Sequence, residues 1–257
     1  MTVARHPSRR EAVGLGLGLV LCHCRKQSAT TIQPLRVAAA SDVEPVFGAL
    51  CESYKQKTGR DVVLSFASSG ALAKQIEHGA PFDLFVSASE EHIARLRKKG
   101  RLVPSTIRSY ARGQLALWTA GDGQLPGSLA ELVAAPNLRI AVANPEHAPY
   151  GSAAVSALRS LGLYEKVRAR LVFAENVRQA QLFTESGNTD VSIIARSLAG
   201  RSGRFVEVPL VLHPPINQTL AVIKGGDETH AAELAELLDT PQGRRLLRDS
   251  GFLPPTD

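Results

Sequence analysis

From Leu35 onward the chain alternates short apolar runs with helical stretches that start on a hydroxyl, acidic or amide residue and stop at glycine. Leu35-Arg36-Val37-Ala38-Ala39-Ala40 reads as a buried strand, and a helix runs from Ser41 to about Thr58, stopped by Gly59. Asp61 to Ala67 is a strand, Gly70 to His78 a helix closed by Gly79, Asp83 to Ala88 a strand, and Glu90 to Lys99 a helix closed by Gly100. Ser41-Asp42-Val43-Glu44 matches a capping box, although Pro45 is late for a first-turn proline and shifts the start a residue or two on. This repeated β-α-β order predicts parallel strands with helices on both faces.

The middle of the chain repeats the theme. Strands are predicted over Gln114 to Thr119, Leu138 to Ala143, Leu171 to Ala174 and Val191 to Ala195. Helices are predicted over Ser128 to Ala134, Ser152 to Leu161 after a long loop at Asn144–Gly151, and Asn176 to Ser186. The end carries a strand at Thr219 to Ile223 and helices at Ala231 to Leu238 and Pro241 to Ser250. The expectation is an α/β fold of two lobes, each a mainly parallel sheet flanked by helices. Residues 31–112 with 216–257 form the first lobe and 113–215 the second, with hinges near Arg112-Gly113 and Pro214-Pro215-Ile216. Ligands of open α/β sheets bind beyond the carboxyl ends of the strands, here in the cleft between lobes.

The net charge of +6 suggests nucleic acid only until it is located. The first 27 residues hold Arg5, Arg9, Arg10, Arg25 and Lys26 against Glu11 alone, leaving +2 for the rest. No dense basic block with interleaved aromatics remains, which argues against a nucleic-acid groove. Arg95, Arg97, Lys98 and Lys99 sit at a predicted helix C-terminus, where cations complement the dipole. The basic start followed by Ala12–Leu21 has the layout of a secretory signal, so residues 1–30 are read as a leader that exports the chain to the periplasm or beyond. The apolar stretch falls short of the roughly 18–20 residues of a spanning helix. Ser8-Arg9-Arg10 suggests the twin-arginine route, with general secretion as the alternative. Cys22 is a candidate lipid-attachment site, against which the bulky Leu21 before it weighs. Past the leader only Cys51 remains, without an intramolecular disulfide partner and inside a helical pattern, so it reads as a small buried apolar residue.

The strand-to-helix junctions carry the functional signal. Ala40-Ser41, Ala67-Ser68-Ser69-Gly70, Pro149-Tyr150-Gly151 and Glu175-Asn176-Val177 each put free backbone N–H groups at a helix start. Singly, such residues are ordinary caps. Converging from two lobes with few charged side chains near the serines, they make an anion site of dipoles and hydrogen bonds. About six bonds to a charged guest, at roughly 1.5–3 kcal/mol each, outweigh an association cost of at least about 4 kcal/mol and leave the about 8 kcal/mol of micromolar binding. Neutral donors also favour a fully deprotonated oxyanion, which only accepts. A Lys or Glu filling the meeting point would contradict this reading.

The segments Val37–Ser41, Phe66–Ala88, Asn144–Gly151, Ala174–Arg178, Pro241-Gln242-Gly243 and Gly251-Phe252 resemble the periplasmic molybdate-binding proteins of ABC transporters, in the right order and over nearly all of residues 34–253. The resemblance implies the type II periplasmic binding protein fold, molybdate or tungstate as ligand, and delivery to an ABC permease in the inner membrane. It places ligand contacts at the Ser41 and Ser69 side chains and at the backbone amides of Tyr150 and Val177. The best-known members complete the shell with a tyrosine hydroxyl, where Ile193-Ile194-Ala195 puts alanine. The Tyr150 hydroxyl and Arg196, beside Ala195, are candidates to fill that gap. Lobe closure around the anion, which bridges both lobes, is the expected mechanism.

No cofactor, no cationic metal and no catalytic residue is expected: the chain lacks a His-Glu-x-x-His helix, a mature Cys-x-x-Cys pair and a Gly-x-Ser-x-Gly elbow. Glu146-His147 is read as shaping the loop before Tyr150. The alternatives are a binding protein for another oxyanion such as sulfate, an enzyme on the same two-lobed fold, and a cytosolic sensing domain, which the leader disfavours. The protein is expected to act as a monomer.

Overall fold

The first apolar run forms β1 (Leu35–Ala40), in which every residue but Arg36 is buried. A computed structural model of the chain describes residues 33–200 and 202–255, so the leader, with Cys22 and Cys24, lies outside the described residues. A single 3-10 turn at Ser41–Val43 follows, and α1 (Glu44–Thr58) begins with Pro45 in its first turn. The capping box is not made, because the Ser41 side chain forms no cap hydrogen bond. Gly59 stops α1 at φ 73°, the left-handed geometry that favours glycine at this position.

Next come β2 (Val62–Ala67), α2 (Ser69–Glu77), β3 (Leu84–Ser87), α3 (Glu90–Lys98), β4 (Arg108–Gly113) and β5 (Leu115–Thr119). The chain continues with β6 (Ile140–Ala143), α4 (Pro149–Ser160), α5 (Tyr164–Val167), β7 (Leu171–Ala174), α6 (Val177–Glu185), β8 (Val191–Ala195), α7 (Arg196–Ala199) and β9 (Arg204–Glu207). It ends with β10 (Ile216–Val222), α8 (Glu228–Glu236) and α9 (Pro241–Asp249).

Two five-stranded sheets result, ordered β2-β1-β3-β10-β4 and β7-β6-β8-β5-β9. They are mixed, each with four strands running one way and one reversed. In the first, β1 pairs parallel with β2 and β3, while β10 runs antiparallel to β3 and β4. In the second, β6 pairs parallel with β7 and β8, while β5 runs antiparallel to β8 and β9. The reversed strands β10 and β5 are the ones that arrive from the other sheet, so they enter against the local direction. β4 passes to β5 through Gln114 alone, and Ile216 at the start of β10 pairs with Gly113 at the end of β4. Both crossings therefore run side by side.

Strand periodicity sorts the core. Val37 and Ala39 pack on one face with Phe47, Leu50, Tyr54 and Leu234, and Ala38 packs on the other with Leu72, Ile76, Phe85 and Leu96. Trp118 is fully buried in the core of the second sheet, and its indole N–H donates to the Ser202 carbonyl at 2.6 Å. Burial pushes the Cys51 thiol up to about 12, in keeping with a packing role. Around the α3 C-terminus, Arg95 and Lys99 both pair with Glu77, so that basic cluster is partly neutralised.

The helix after β6 starts at Pro149, three residues earlier than the sequence pattern suggests. Gly151 makes this possible, since a Cβ there would lie 2.1 Å from the Ala143 carbonyl oxygen. Gly48, on the exposed side of α1, has nothing within 4 Å of a Cβ. We therefore expect Gly151→Ala to lower stability by about 1–3 kcal/mol, and Gly48→Ala to raise it by about 0.5–1 kcal/mol. Urea unfolding of both variants beside the parent checks the pair.

Candidate functional site

The carboxyl ends of β1, β2, β6 and β7 converge, and each feeds a helical start. Ser41, Ser69, Tyr150 and Val177 line one small cavity of about 10 Å³, together with Ala88 and Asn176. The first two residues belong to the first sheet's half and the other two to the second's. The Ser69 hydroxyl accepts the Ala88 N–H at 3.0 Å, which leaves its own proton to donate. The Ser41 hydroxyl makes no hydrogen bond among the described residues. Tyr150 and Val177 occupy first turns, where no preceding carbonyl serves their N–H groups. Asn176 caps α6 by accepting the Gln179 N–H at 3.0 Å, so its side chain does not compete for the Val177 amide.

The two halves also touch beside the cavity. The Gly70 N–H donates to the His147 carbonyl at 3.0 Å, and the Ser68 hydroxyl meets His147 Nδ1 at 2.9 Å. A Cβ on Gly70 would come within 2.6 Å of that carbonyl oxygen. Glu146-His147 thus shapes the loop before Tyr150 and joins it to the start of α2. Ala195 and Arg196 lie elsewhere. Ala195 is buried at the end of β8 without lining the cavity. The Arg196 guanidinium bonds Glu207 at 3.1 Å and stacks 4.2 Å from the centre of the Phe205 ring.

Residues 35–253 match the family of bacterial extracellular solute-binding proteins. The chain belongs to that family. It is 31% identical to the molybdate-binding protein ModA of Azotobacter vinelandii, over 95% of this chain and 96% of that one. Its identity to the Rhodobacter capsulatus ModA is 33%, over 94% of each. The solved structure of the Azotobacter vinelandii periplasmic molybdate-binding protein superposes with a TM-score of 0.80 at 32% identity, covering 86% of this chain and all of that one.

One feature separates the cavity of this solute-binding protein from the neutral pocket that sequence reasoning expects. No Lys or Glu lines it, but Asp42, 1% exposed, does. Asp42 Oδ2 accepts the Tyr150 hydroxyl at 2.9 Å and the Gln218 side-chain amide at 2.7 Å. Gln218 in turn accepts the Tyr110 hydroxyl at 3.0 Å, and the Ser197 hydroxyl donates to the Asp42 carbonyl at 2.7 Å. The Tyr150 hydroxyl is therefore spent on Asp42 and Gln218 rather than turned to the place opposite Ala195. Burial pushes the Asp42 carboxyl up to about 6, against the lowering by Tyr150, its own backbone N–H and Gln218. Burial, and next the Asp42 charge, hold the Tyr150 hydroxyl well above the usual phenol range.

A carboxyl whose folded-state pKa is raised favours the fold only while protonated. Its contribution is present below pH 4, is lost as pH rises through about 6, and stays lost above that. About two units correspond to about 3 kcal/mol for a group this buried. Asp42→Asn removes the titration. We expect the stability of this variant relative to the parent to improve by about 2–3 kcal/mol between pH 4 and pH 7.5, read from denaturant unfolding at each pH. A difference that stays constant with pH contradicts the assignment.

Proposed function

We propose that this protein is the extracytoplasmic binding subunit of an ABC importer and that it captures molybdate or tungstate for a permease in the inner membrane. The leader over residues 1–30 directs export, and the mature chain works as a monomer. The observation that carries the reading is the meeting of two serine hydroxyls and two unpaired helix-start amides, drawn from both halves, around one small cavity in a chain of this family. The molybdate-binding relatives, matched over nearly their full length, supply the substrate class.

In this reading the Ser41 and Ser69 hydroxyls and the Tyr150 and Val177 amides donate to the oxygens of a tetrahedral dianion. Partial positive charge at the starts of α2, α4 and α6 adds to those bonds without a desolvated cation. Residues 31–112 with 216–257 move as one lobe and 113–215 as the other, bending where β4 meets β5 and where β10 begins. The anion touches both lobes, so it favours the arrangement in which they meet, and that arrangement is what the permease recognises.

Calorimetric titration with molybdate, tungstate, sulfate and phosphate tests the substrate. Tight binding of the first two alone supports the reading, and equal or tighter binding of sulfate moves it to another oxyanion. Val177→Pro tests the site more sharply. Proline fits the first position of a helix, and Asn176 before it is already extended at φ -158° and ψ 173°, so the substitution deletes one N–H with little change of shape. We expect a loss of about 1.5–3 kcal/mol, roughly ten- to a hundredfold in affinity, with an unchanged circular dichroism spectrum.

A further inference from the structure

We propose that Asp42 takes up a proton when the anion enters, so that this protein binds a doubly charged oxyanion and one proton together. The proposal rests on the oxyanion reading above and deepens it. Asp42 stands in the wall of the cavity that holds the four donors and is 1% exposed, so water does not screen it from a guest there.

Among the described residues, nothing around it offers a compensating cation. Tyr150 of α4 and Gln218 of β10 give neutral hydrogen bonds, and Tyr110 of β4 reaches it only through Gln218. On α7, Ser197 bonds its backbone carbonyl, and Arg196 is held by Glu207. On α6, Arg178 lies 3.6 Å from Glu44 of α1 and 3.2 Å from Glu185. Asp42 itself forms no ion pair among the described residues.

A dianion entering beside an ionised, uncompensated carboxylate meets like charge in a site where charge interactions are strong. Neutralising the carboxylate relieves this. One proton from solvent adds to the carboxylate oxygen, giving the neutral acid beside the bound dianion, and no other bond changes. Tyr150 and Gln218 both engage Oδ2, so the proton belongs on Oδ1, which turns from an acceptor into a donor. Burial already raises its pKa to about 6 before any anion arrives, so less further shift is needed for it to take up a proton. Binding and protonation are then linked, and each strengthens the other.

The test is calorimetric titration of the mature protein with molybdate at pH 7.5, in two buffers of different ionisation enthalpy, repeated at pH 6 and 8. Molybdate stays a dianion over that range, so any slope belongs to the protein. We expect close to one proton taken up per anion at pH 7.5, and an affinity that falls between pH 6 and 8 by up to about 50-fold, the limit for one fully coupled proton. Asp42→Asn should bind without proton uptake and with a flat pH profile. Should that variant fail to fold, the 13C shift of the Asp42 side-chain carboxyl through a wild-type titration at pH 7.5 gives the same answer, moving to its protonated position as anion is added. Binding with no proton uptake, or an Asp42 signal that stays ionised, overturns the proposal and leaves the oxyanion reading standing. Uptake retained in Asp42→Asn overturns it as well. Absence of binding by any of the four oxyanions at every pH overturns the oxyanion reading, and this proposal with it.

Discussion

A carboxyl group without a cation partner ties the two halves of this protein together. Asp42 leaves the end of β1 in one half, and its Oδ2 is held at 2.9 Å by the hydroxyl of Tyr150 from the other half. Gln218 holds the same oxygen from β10, beside the crossing strands. Because Tyr150 also starts α4, this contact sets where the α4 amides aim. Because Asp42 follows Ser41, it sets where that hydroxyl sits. The contact in turn requires Gly113 at the end of β4, where a Cβ would fall 2.0 Å from the Tyr150 hydroxyl oxygen. Strand crossing, cavity wall and helix starts are thus one arrangement, held by groups that would each be costly to leave buried and unpaired.

The doubled topology explains why donors arrive in matched pairs. Each sheet places a central strand between two parallel neighbours and then admits one reversed strand from the other half. The carboxyl ends of the parallel strands point into the space between the halves, and a helix start follows each one. A helix start offers N–H groups with partial positive charge but no net charge. A site assembled this way offers donors to an anion without burying lysine or arginine, whose desolvation would offset much of the attraction.

Much of this was legible in the sequence, and what was not has physical causes. β1, β7 and β8 are predominantly apolar runs, each broken by at most one polar residue, and their limits match the pattern reading residue for residue. β4 and β9 were not legible, since Arg108-Ser109-Tyr110-Ala111-Arg112-Gly113 and Arg204-Phe205-Val206-Glu207 carry too much charge to stand out as buried strands. Their edge positions allow that charge to reach solvent. Ser41, Ser69, Tyr150 and Val177 could be singled out because helix starts are local. Asp42 could not, because beside Ser41 and ahead of Glu44 it reads as one more cap. Two local signs pointed to something else: Pro45 delays the helix, and the polar Gln218 precedes an apolar strand. What they mean depends on a contact spanning 176 residues of sequence, which no local pattern encodes.

The same contact bears on the proposed closure around an anion. Direct bonds across the cleft, such as Tyr150 to Asp42, Ser197 to Asp42 and Gly70 to His147, are polar. Each exchanges bonds to water for bonds within the protein, a net gain of about 0.5–1.5 kcal/mol. Against that gain stands the cost of burying Asp42 away from water. The free energy holding the halves together is therefore a small difference of opposing terms. A ligand shifts such a balance only by its difference in affinity between the two arrangements. An anion held by Ser41 and Ser69 alone would bind whether the halves met or not, and would move nothing. In the proposed mechanism, occupancy becomes a change of shape for a membrane partner to read only when the amides of α4 and α6 add their bonds.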